Sequence, residues 1–292
     1  MSAVLLDGQA LAAAMLAALA PSVAAVRQAR GAAPRLAIVC GGTDASSKAY
    51  LKSKLKACAS AGIETEVHAW PAAGGQGAAL GLVANLAVRP GLDGILLEQP
   101  LPEGMDGLEL LSLLPPNRDV EGVHPRNYGR FFLAKTALEL AAPGIVAPCT
   151  AAAVMALLAK SGVPPAGREA VVVGRSEILG RPAAHFLSAL DATVTLCHSK
   201  TATLRRHVER ADILVACAGR PELIKGDWIK PGAVVLDAGM NPKGKAWIGD
   251  VEAKGARERA AFLTPVPGGV GPVTTAVLLA NVVAAAQSSR RP

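Results

Sequence analysis

Residues Ala170-Val-Val-Val-Gly-Arg-Ser-Glu-Ile-Leu-Gly-Arg-Pro182 indicate the fold of this chain. Apolar residues lead into Gly174, and Pro182 opens an alanine-rich helical pattern, which together predict a strand, a turn and a helix N-terminus. In that order, backbone N–H groups and the helix dipole face an anion, usually a dinucleotide pyrophosphate. Ser176 takes the place of the second glycine of G-x-G-x-x-G and Gly180 comes one residue late, so an ordinary strand–helix loop is the alternative.

A second predicted strand, residues 192–197, favours nucleotide binding. It follows about twenty residues later, where such folds bind the adenosine ribose. An acidic residue at its end would favour NAD, but His198, Ser199 and Lys200 stand there and Arg175 lies in the first turn. Cationic and hydroxyl groups suit a 2′-phosphate, so the sequence favours NADP over NAD.

Composition narrows the class of protein. The 292 residues are enough for two domains, and 51% of them are apolar but only 3% aromatic. The net charge of +7 is carried by dispersed Lys and Arg, so no nucleic-acid partner is predicted. No signal-peptide pattern and no uninterrupted apolar run of ~18–20 residues is present, which predicts a cytoplasmic protein without a membrane partner. The five cysteines are scattered without a C-x-x-C pair, so neither a disulfide framework nor a metal site is expected.

Alternation of apolar runs and helical patterns predicts an α/β protein with parallel sheets in two domains. The predicted domains are residues 1–145, joined by the terminal helix 273–292 packing back on them, and a Rossmann-type domain 146–272. The predicted helices cover residues 8–30, 46–61, 77–88 and 273–286. The predicted strands cover residues 34–40, 63–69, 94–97, 170–174, 192–197, 213–216 and 233–237. Residues 115–128 are predicted to be a loop and 143–150 a hinge.

Three segments carry candidate chemistry. Tyr50 and Lys54 share a helix face at i and i+4, where a lysine can transfer protons, although surface Tyr–Lys pairs are common. Glu98 directly follows a predicted strand, at the sheet edge where α/β folds bind ligands. Asp119 and Glu121 lie in a predicted loop that also contains His124. We interpret His124 as a structural residue. No serine-hydrolase or H-E-x-x-H pattern appears.

Residues 264–272 read Thr-Pro-Val-Pro-Gly-Gly-Val-Gly-Pro and precede a predicted helix. Their backbone amides can line a ligand, which favours a functional loop. A rigid turn between domains is the alternative.

These segments together resemble the bifunctional methylenetetrahydrofolate dehydrogenase/methenyltetrahydrofolate cyclohydrolase family over nearly the whole chain. The resemblance rests on the following motifs: Tyr50-x-x-x-Lys54, Gly94-Ile-Leu with Pro100-Leu-Pro102, Asp119-Val, His124-Pro125, Pro148-Cys-Thr150, Val173-Gly-Arg-Ser176, Cys197-His-Ser199, Gly226-Asp-Trp-Ile-Lys230, Gly249-Asp-Val251 and Thr264–Pro272.

The resemblance implies a two-domain homodimer that binds a tetrahydrofolate one-carbon derivative between its domains and NADP on the C-terminal domain. Hydride leaves the methylene bridge for the nicotinamide, and water then opens the methenyl product. Lys54 would handle protons and Tyr50 would stack on and position the substrate. The implied substrate contacts are Tyr50, Leu97, Gln99, Pro267, Gly268, Gly269, Val270 and Gly271. The implied NADP contacts are Gly174, Arg175, Ser176, Ser199 and Met240.

Two departures from the family pattern affect the catalytic residues. Glu98 stands where the family has a glutamine beside the lysine, and Glu121 replaces the aspartate thought to hold the pterin. A carboxylate within about 4 Å of Lys54 would favour its ammonium form and hold it in a salt bridge. We therefore expect dehydrogenase activity with altered or lost cyclohydrolase activity. Alternatively, Glu98 stabilises the cationic intermediate or acts as a base. A specialised paralogue with another one-carbon reaction, or a folate-binding protein without activity, are the other hypotheses.

Overall fold

The computed structural model describes residues 2–41, 45–71, 73–99, 101–244 and 246–289, and the side chains of residues 45–50 lie outside that description. The chain forms two compact units. The N-terminal unit is Ala13–Gly129 with Thr275–Pro292, and the C-terminal unit is Met1–Ala12 with Arg130–Thr274.

The helices, in chain order, are α1 (Gly8–Arg30), α2 (Ala45–Ser60), α3 (Gly75–Val88), α4 (Gly107–Ser112), α5 (Pro125–Leu133), α6 (Ala137–Leu140), α7 (Cys149–Lys160), α8 (Gly180–Ala189), α9 (Leu204–Val208), α10 (Ala253–Arg259) and α11 (Val270–Ser288). The strands are β1 (Val4–Leu5), β2 (Arg35–Cys40), β3 (Glu64–Ala69), β4 (Gly94–Leu97), β5 (Glu169–Val173), β6 (Thr193–Cys197), β7 (Ile213–Ala216), β8 (Val234–Asp237), β9 (Asn241–Lys243), β10 (Ala246–Ile248) and β11 (Phe262–Leu263). Short 3-10 helices cover Pro116–Arg118 and Gly226–Trp228.

The N-terminal unit contains a parallel sheet in the order β3-β2-β4. β4 is buried along its whole length, as its unbroken apolar sequence requires. Its side chains pack with residues of α3 and α4 into one core cluster. Because all three strands run in one direction, their carboxyl ends meet at the same sheet edge.

The C-terminal unit contains a parallel sheet in the order β1-β11-β8-β7-β5-β6. β6 lies beside β5 on one side and β7 lies beside it on the other, so the order of the strands in the sheet reverses between β5 and β7. A parallel sheet with such a reversal leaves a ligand-binding crevice at the carboxyl ends of these two strands. The α/β class with two domains, as expected from the sequence, is confirmed.

The predicted loop 115–128 is wrong in its last part, because α5 begins at Pro125. Nδ1 of His124 accepts a hydrogen bond from the amide of Arg126 (3.0 Å), and the proline fits the first helical turn, where no N–H is needed. The small strands β1 and β11 and the hairpin of β9 and β10 are not predicted by the sequence pattern either. These strands have two or three residues each, too few for a recognisable periodicity.

The two units differ from the predicted domains at their ends. Residues 2–12 belong to the C-terminal unit because β1 pairs with β11, with Val4 opposite Phe262. Residues 130–145 belong there as well, where Phe131 contacts His185 of α8 edge to face. The last helix, from Thr275 onward, belongs to the N-terminal unit.

Within the part of the chain that the structure describes, two helices, α1 and α11, are long and apolar enough to cross a membrane by length and composition alone. Core helices of soluble proteins pass the same test, and 44% of the apolar window of α11 is buried within the protein. In α1 the corresponding share is 17%, and Pro21 lies inside the helix. The absence of a membrane partner therefore stays a prediction.

Candidate functional site

A largely buried ion pair lies at the carboxyl edge of the N-terminal sheet. Glu98 follows β4 directly, and its amide donates a hydrogen bond to the carbonyl of Val39 on β2 (2.9 Å). Nζ of Lys54, on α2, lies 2.6 Å from Oε1 of Glu98, and these side chains are 7% and 18% exposed. The salt bridge expected from the sequence is therefore confirmed. The role of either residue in catalysis stays a prediction.

The loop that carries Glu121 is shaped by the carboxylate of Asp119. This carboxylate is 3% exposed and accepts bonds from four consecutive backbone amides and one side chain. The donors are the amides of Glu121 (3.2 Å), Gly122 (2.9 Å), Val123 (3.3 Å) and His124 (2.9 Å) and Nδ2 of Asn127 (2.9 Å). Nδ2 of Asn281, on α11, donates to the carbonyl of Val120 (2.8 Å). The loop is thus held from two sides, which fixes the backbone of Glu121.

Glu121 belongs electrostatically to the same site as the ion pair. Burial raises the pKa of Glu121 to about 7; the ammonium of Lys54 lowers it, whereas the carboxylates of Asp119 and Glu98 raise it further. Near neutral pH both the acid and the carboxylate form are therefore populated. The structure brings Lys54, Glu98 and Glu121 together, as the resemblance implied.

The other residues implied on this side of the protein are placed less directly. Tyr50 lies in α2 one turn before Lys54, but its side chain is outside the described residues. Leu97 is 2% exposed and packs in the core of the N-terminal unit. Gln99 is exposed, and its Oε1 accepts a bond from the amide of Leu101 (3.3 Å). Substrate contacts by these three residues stay predictions.

Sequence reasoning missed Cys40, which it treated only as a core residue. Cys40 ends β2 at the same sheet edge as the ion pair. Burial raises the pKa of its thiol, the carboxylate of Glu98 raises it further, and Lys54 opposes both. Its position at the carboxyl end of a predicted strand was the available signal.

In the C-terminal unit, the turn between β5 and α8 has the shape of a nucleotide-binding turn. Gly174 has φ +134°, and a Cβ there would lie 2.2 Å from the carbonyl oxygen of Cys217 on the neighbouring chain segment. Gly180 begins α8, where a Cβ would lie 2.2 Å from the carbonyl oxygen of Gly174. Both glycines are therefore required by close backbone approach, and the late position of Gly180 still brings the helix onto the strand.

Cationic and hydroxyl groups surround that turn. Val173 of β5 is paired with Cys197 of β6, so Gly174 and His198 follow side by side at the sheet edge. Arg175, Ser176, Ser199 and Lys200 are exposed there, and Oγ of Ser176 accepts bonds from the amides of Leu179 (3.3 Å) and Gly180 (3.4 Å). Met240 follows β8 at the same edge and is 48% exposed. A glycine cradle with exposed cations fits a dinucleotide that carries a 2′-phosphate.

The glycine- and proline-rich loop 264–272 joins β11 to α11 in the C-terminal unit. The amide of Gly8 donates to the carbonyl of Gly268 (3.0 Å), which ties the loop to the start of α1. Pro267 is exposed, Gly268 and Gly271 are partly exposed, and Gly269 and Val270 are buried. Both a binding role and a structural role agree with this geometry, so the implied substrate contacts of Pro267–Gly271 stay predictions.

Among the residues that the structure describes, no group of three or more His, Cys, Asp or Glu side chains is arranged to hold a metal ion. None of the five cysteines forms a disulfide. His124 caps α5, which agrees with its interpretation as structural.

The family of the chain follows from matches to two family models. Residues 6–121 match the catalytic domain of tetrahydrofolate dehydrogenase/cyclohydrolase, and residues 148–290 match its NAD(P)-binding domain. The chain belongs to the tetrahydrofolate dehydrogenase/cyclohydrolase family. The resemblance inferred from the motifs is thus confirmed.

Relatives within this family are similar over almost the whole chain. The "Bifunctional protein FolD" of Pelobacter propionicus is 45% identical over 97% of both chains. The "Bifunctional protein FolD 2" of Myxococcus xanthus is 46% identical over 98% of this chain and 96% of its own. Nothing among these relatives supports a specialised paralogue with another reaction.

A solved structure gives the same result for the fold. The methylenetetrahydrofolate dehydrogenase-cyclohydrolase (FolD) of Trypanosoma brucei, complexed with NADP cofactor and inhibitor, is 37% identical. It superposes with a TM-score of 0.93, and the match covers 100% of both chains. The expectation of an enzyme with separate catalytic and NAD(P)-binding domains is therefore confirmed.

Proposed function

We propose that this chain oxidises 5,10-methylenetetrahydrofolate to 5,10-methenyltetrahydrofolate with NADP and hydrolyses the product to 10-formyltetrahydrofolate. Family membership over both domains supports the proposal, as does the similar solved structure from Trypanosoma brucei, which is named for both activities. The observation in the structure that carries it is the contact of Lys54 with Glu98, next to Glu121, at the carboxyl edge of the N-terminal sheet.

NADP is the proposed cofactor, because the glycine cradle and the exposed cations of the C-terminal unit fit its phosphates. When bound, it accepts the hydride from the methylene bridge of the substrate. Gly174 and Ser176 would hold the pyrophosphate side, and Arg175 and Ser199 would contact the ribose end with its 2′-phosphate. Met240 would cover the nucleotide from the end of β8.

The hydrolytic step requires movement of protons, since water adds to a cationic methenyl bridge and must lose a proton. Lys54 and the Glu98 carboxylate are a donor and an acceptor 2.6 Å apart, with little exposure to water. Glu121, with its pKa near neutrality, would bind the pterin as either an acid or a carboxylate. Lys54 and Glu121, with Tyr50 as positioning partner, are the proposed catalytic group, and Glu98 acts on Lys54 through the salt bridge.

Glu98 is proposed to slow hydrolysis relative to hydride transfer. A buried carboxylate in contact with Lys54 holds the ammonium in one place and keeps it from the substrate. Hydride transfer depends mainly on the relative position of the two reactants, so it should tolerate this pairing. The chain would then retain both activities with the balance shifted toward oxidation.

The substrate contacts implied by the resemblance, Leu97, Gln99 and Pro267–Gly271, are part of the same proposal. A homodimer is proposed on the resemblance alone, and a cytoplasmic location on the sequence pattern described above. Light scattering on the purified protein tests the dimer.

The experiment mixes the purified protein with methylenetetrahydrofolate and NADP⁺ and follows NADPH fluorescence and methenyl absorbance together. NADPH formation with a transient excess of the methenyl species is the expected result. Tight folate binding without NADPH formation would contradict the proposal. The same assay with NAD⁺ should give slower turnover at equal concentration.

A further inference from the structure

The motif Gly249-Asp-Val251 has no role in the function described above, yet its aspartate is completely buried. Asp250 is 0% exposed and accepts hydrogen bonds on both carboxylate oxygens. Oδ2 binds the amides of Ala218 (2.5 Å) and Gly219 (2.9 Å). Oδ1 binds the amide of Arg220 (2.9 Å) and Nδ2 of Asn241 (2.8 Å). One carboxylate thus determines the backbone path of residues 218–220.

These residues flank the crevice where the strand order reverses. They follow β7, which pairs with β5 so that Ala216 lies opposite Val173. The Gly174 turn follows β5 and is packed against Cys217, the first residue after β7. A dinucleotide held by the Gly174 turn therefore has residues 217–220 as its neighbouring wall.

A second buried carboxylate, that of Asp237, holds the first. Its Oδ1 accepts from the amides of Gly239 (2.9 Å) and Asp250 (3.0 Å), and its Oδ2 accepts from the amide of Val251 (2.9 Å). A Cβ on Gly249 would lie 1.8 Å from Oδ2 of Asp237, so the chain approaches this carboxylate as closely as backbone can. The segment that contains Met240 is fixed by the same network, through Gly239 and Asn241.

Burying the carboxylates of Asp237 and Asp250 close together is electrostatically unfavourable. Burial raises the pKa of Asp237 to about 6, and Asp250 adds to that shift while the backbone amides oppose it. The thiol of Cys217 is affected as well, with burial and both aspartates raising its pKa to about 12. Two close buried carboxylates are an unfavourable way to stabilise loops, which suggests that the shape of those loops matters for the site they form.

We propose that Asp250 is a positioning residue for the dinucleotide, acting by holding residues 217–220 in the conformation that receives it, with Asp237 supporting Asp250. The inference rests on the proposed function, because it assumes that the crevice binds NADP. Asp250 contacts backbone amides, so its effect on the cofactor passes through the loop.

The test replaces Asp250 by asparagine and measures the two ligands separately. In Asp250→Asn one carboxylate oxygen is replaced by an NH2 group, which cannot accept a hydrogen bond. Some of the amides of residues 218–220 therefore lose their acceptor. We expect the dissociation constant for NADP⁺, measured by calorimetric titration, to rise about tenfold or more. Hydrolysis of supplied methenyltetrahydrofolate needs no dinucleotide, and its rate should stay within about twofold of the wild type.

Asp212→Asn is the matched control. Asp212 directly precedes β7, whereas residues 217–220 follow the other end of that strand. Its carboxylate accepts from the amide of Glu169 (3.0 Å) and from Nζ of Lys230 (2.6 Å), away from the crevice. NADP⁺ affinity should be unchanged in this variant. Asn241→Ala removes one bond to Asp250 (2.8 Å) and a longer bond to the carbonyl of Ile248 (3.3 Å), and it should weaken NADP⁺ binding about threefold.

Distinct outcomes separate this inference from the proposed function. An unchanged NADP⁺ dissociation constant in folded Asp250→Asn, or equal losses of NADP⁺ binding and hydrolysis, would overturn the positioning role. If Asp250→Asn does not fold, Asn241→Ala decides by the same two readouts. Failure of the wild-type protein to bind NADP⁺ or to form NADPH would instead refute the proposed function.

Discussion

Nζ of Lys54 lies 2.6 Å from Oε1 of Glu98, although 44 residues separate them in the chain. They meet because β2 and β4 are parallel neighbours, so the helix that follows one strand and the residue that follows the other share a sheet edge. Glu121 joins them from a loop bridged to β4 at Ile95 and Asp119. The charges of Lys54 and Glu98 thereby act on the pKa of Glu121, which lies in a third segment.

Replacing Glu98 by glutamine should raise cyclohydrolase activity. The amide has nearly the same shape but no charge, so Lys54 loses its ionic partner and becomes available to the substrate. We expect the rate of methenyltetrahydrofolate hydrolysis to increase about tenfold, while dehydrogenase turnover changes by less than about twofold. Stopped-flow absorbance of the methenyl species measures the first rate, and NADPH fluorescence measures the second.

The control for this variant is Glu64→Gln at the amino end of β3, the opposite edge of the same sheet. Glu64 pairs with Arg35 at 3.6 Å and is largely exposed. Neither activity should change. A lower hydrolysis rate in Glu98→Gln would show that Glu98 acts as a base, contrary to the proposal.

The raised pKa of Glu121 should appear in the pH dependence of stability. The folded protein binds this proton more tightly than the unfolded chain, so the stabilisation is full below the ordinary value near 4.5 and is lost as the pH rises through about 7. Glu121→Gln removes the titration. Between pH 4.5 and 8 the wild type loses this stabilisation and the variant does not. The free energy of unfolding of the variant, relative to that of the wild type, should therefore rise by on the order of 3 kcal/mol at most.

Urea unfolding of both proteins at pH 5 and pH 8 measures this difference. The exposed Glu103 supplies a control, since Glu103→Gln should change stability equally at the two pH values. Parallel pH profiles of wild type and Glu121→Gln would contradict burial as the cause of the shift.

Removing the Asp119 carboxylate should destabilise the protein strongly. Asp119→Ala leaves several buried amides without their acceptor and removes one of the two acceptors of the Asn127 side chain, at an expected cost of about 3 kcal/mol or more. Asp106→Ala is the comparison, because Asp106 also accepts from two amides, but these bonds cap the start of α4 at an exposed position. That loss should cost about 1 kcal/mol in urea unfolding. Equal costs would show that the loop of Glu121 is not held by Asp119.

Glycine at position 174 should be required for cofactor binding. Gly174→Ala places a methyl group 2.2 Å from the carbonyl oxygen of Cys217, at a φ that favours glycine, so the turn must open. We expect NADP⁺ affinity to fall at least about tenfold by titration. Gly81→Ala in α3 meets no atom within 4 Å and should leave affinity unchanged while stabilising the helix by about 0.5–1 kcal/mol.

Arg175 should determine the preference for NADP over NAD. Its exposed guanidinium lies in the turn after β5, where Arg175→Ala would remove a cation suited to the 2′-phosphate. The ratio of kcat/KM with NADP⁺ to that with NAD⁺ is expected to fall about tenfold. Arg168→Ala, at the amino end of β5, serves as the control. An unchanged ratio in both variants would assign the 2′-phosphate to other residues.

Much of the fold was predictable because buried parallel strands are short unbroken apolar runs. The strands Gly94–Leu97 and Ile213–Ala216 and the helix Gly8–Arg30 were predicted with their observed bounds. α5 was missed because its proline and glycine resemble loop residues, whereas its start depends on the cap by His124. β1 was missed because a two-residue strand acquires its hydrogen bonds only from β11.

The sequence by itself determined the two α/β domains, the family and the residue types available for catalysis, because local patterns and motif spacing specify these directly. The tertiary structure alone decided how far the pair of Lys54 and Glu98 is buried, and that burial raises the pKa of Glu121 to about 7. It also decided that Asp250 shapes the loop after β7. Contacts of this kind depend on burial and on distances between segments remote in sequence, which only the packed chain defines.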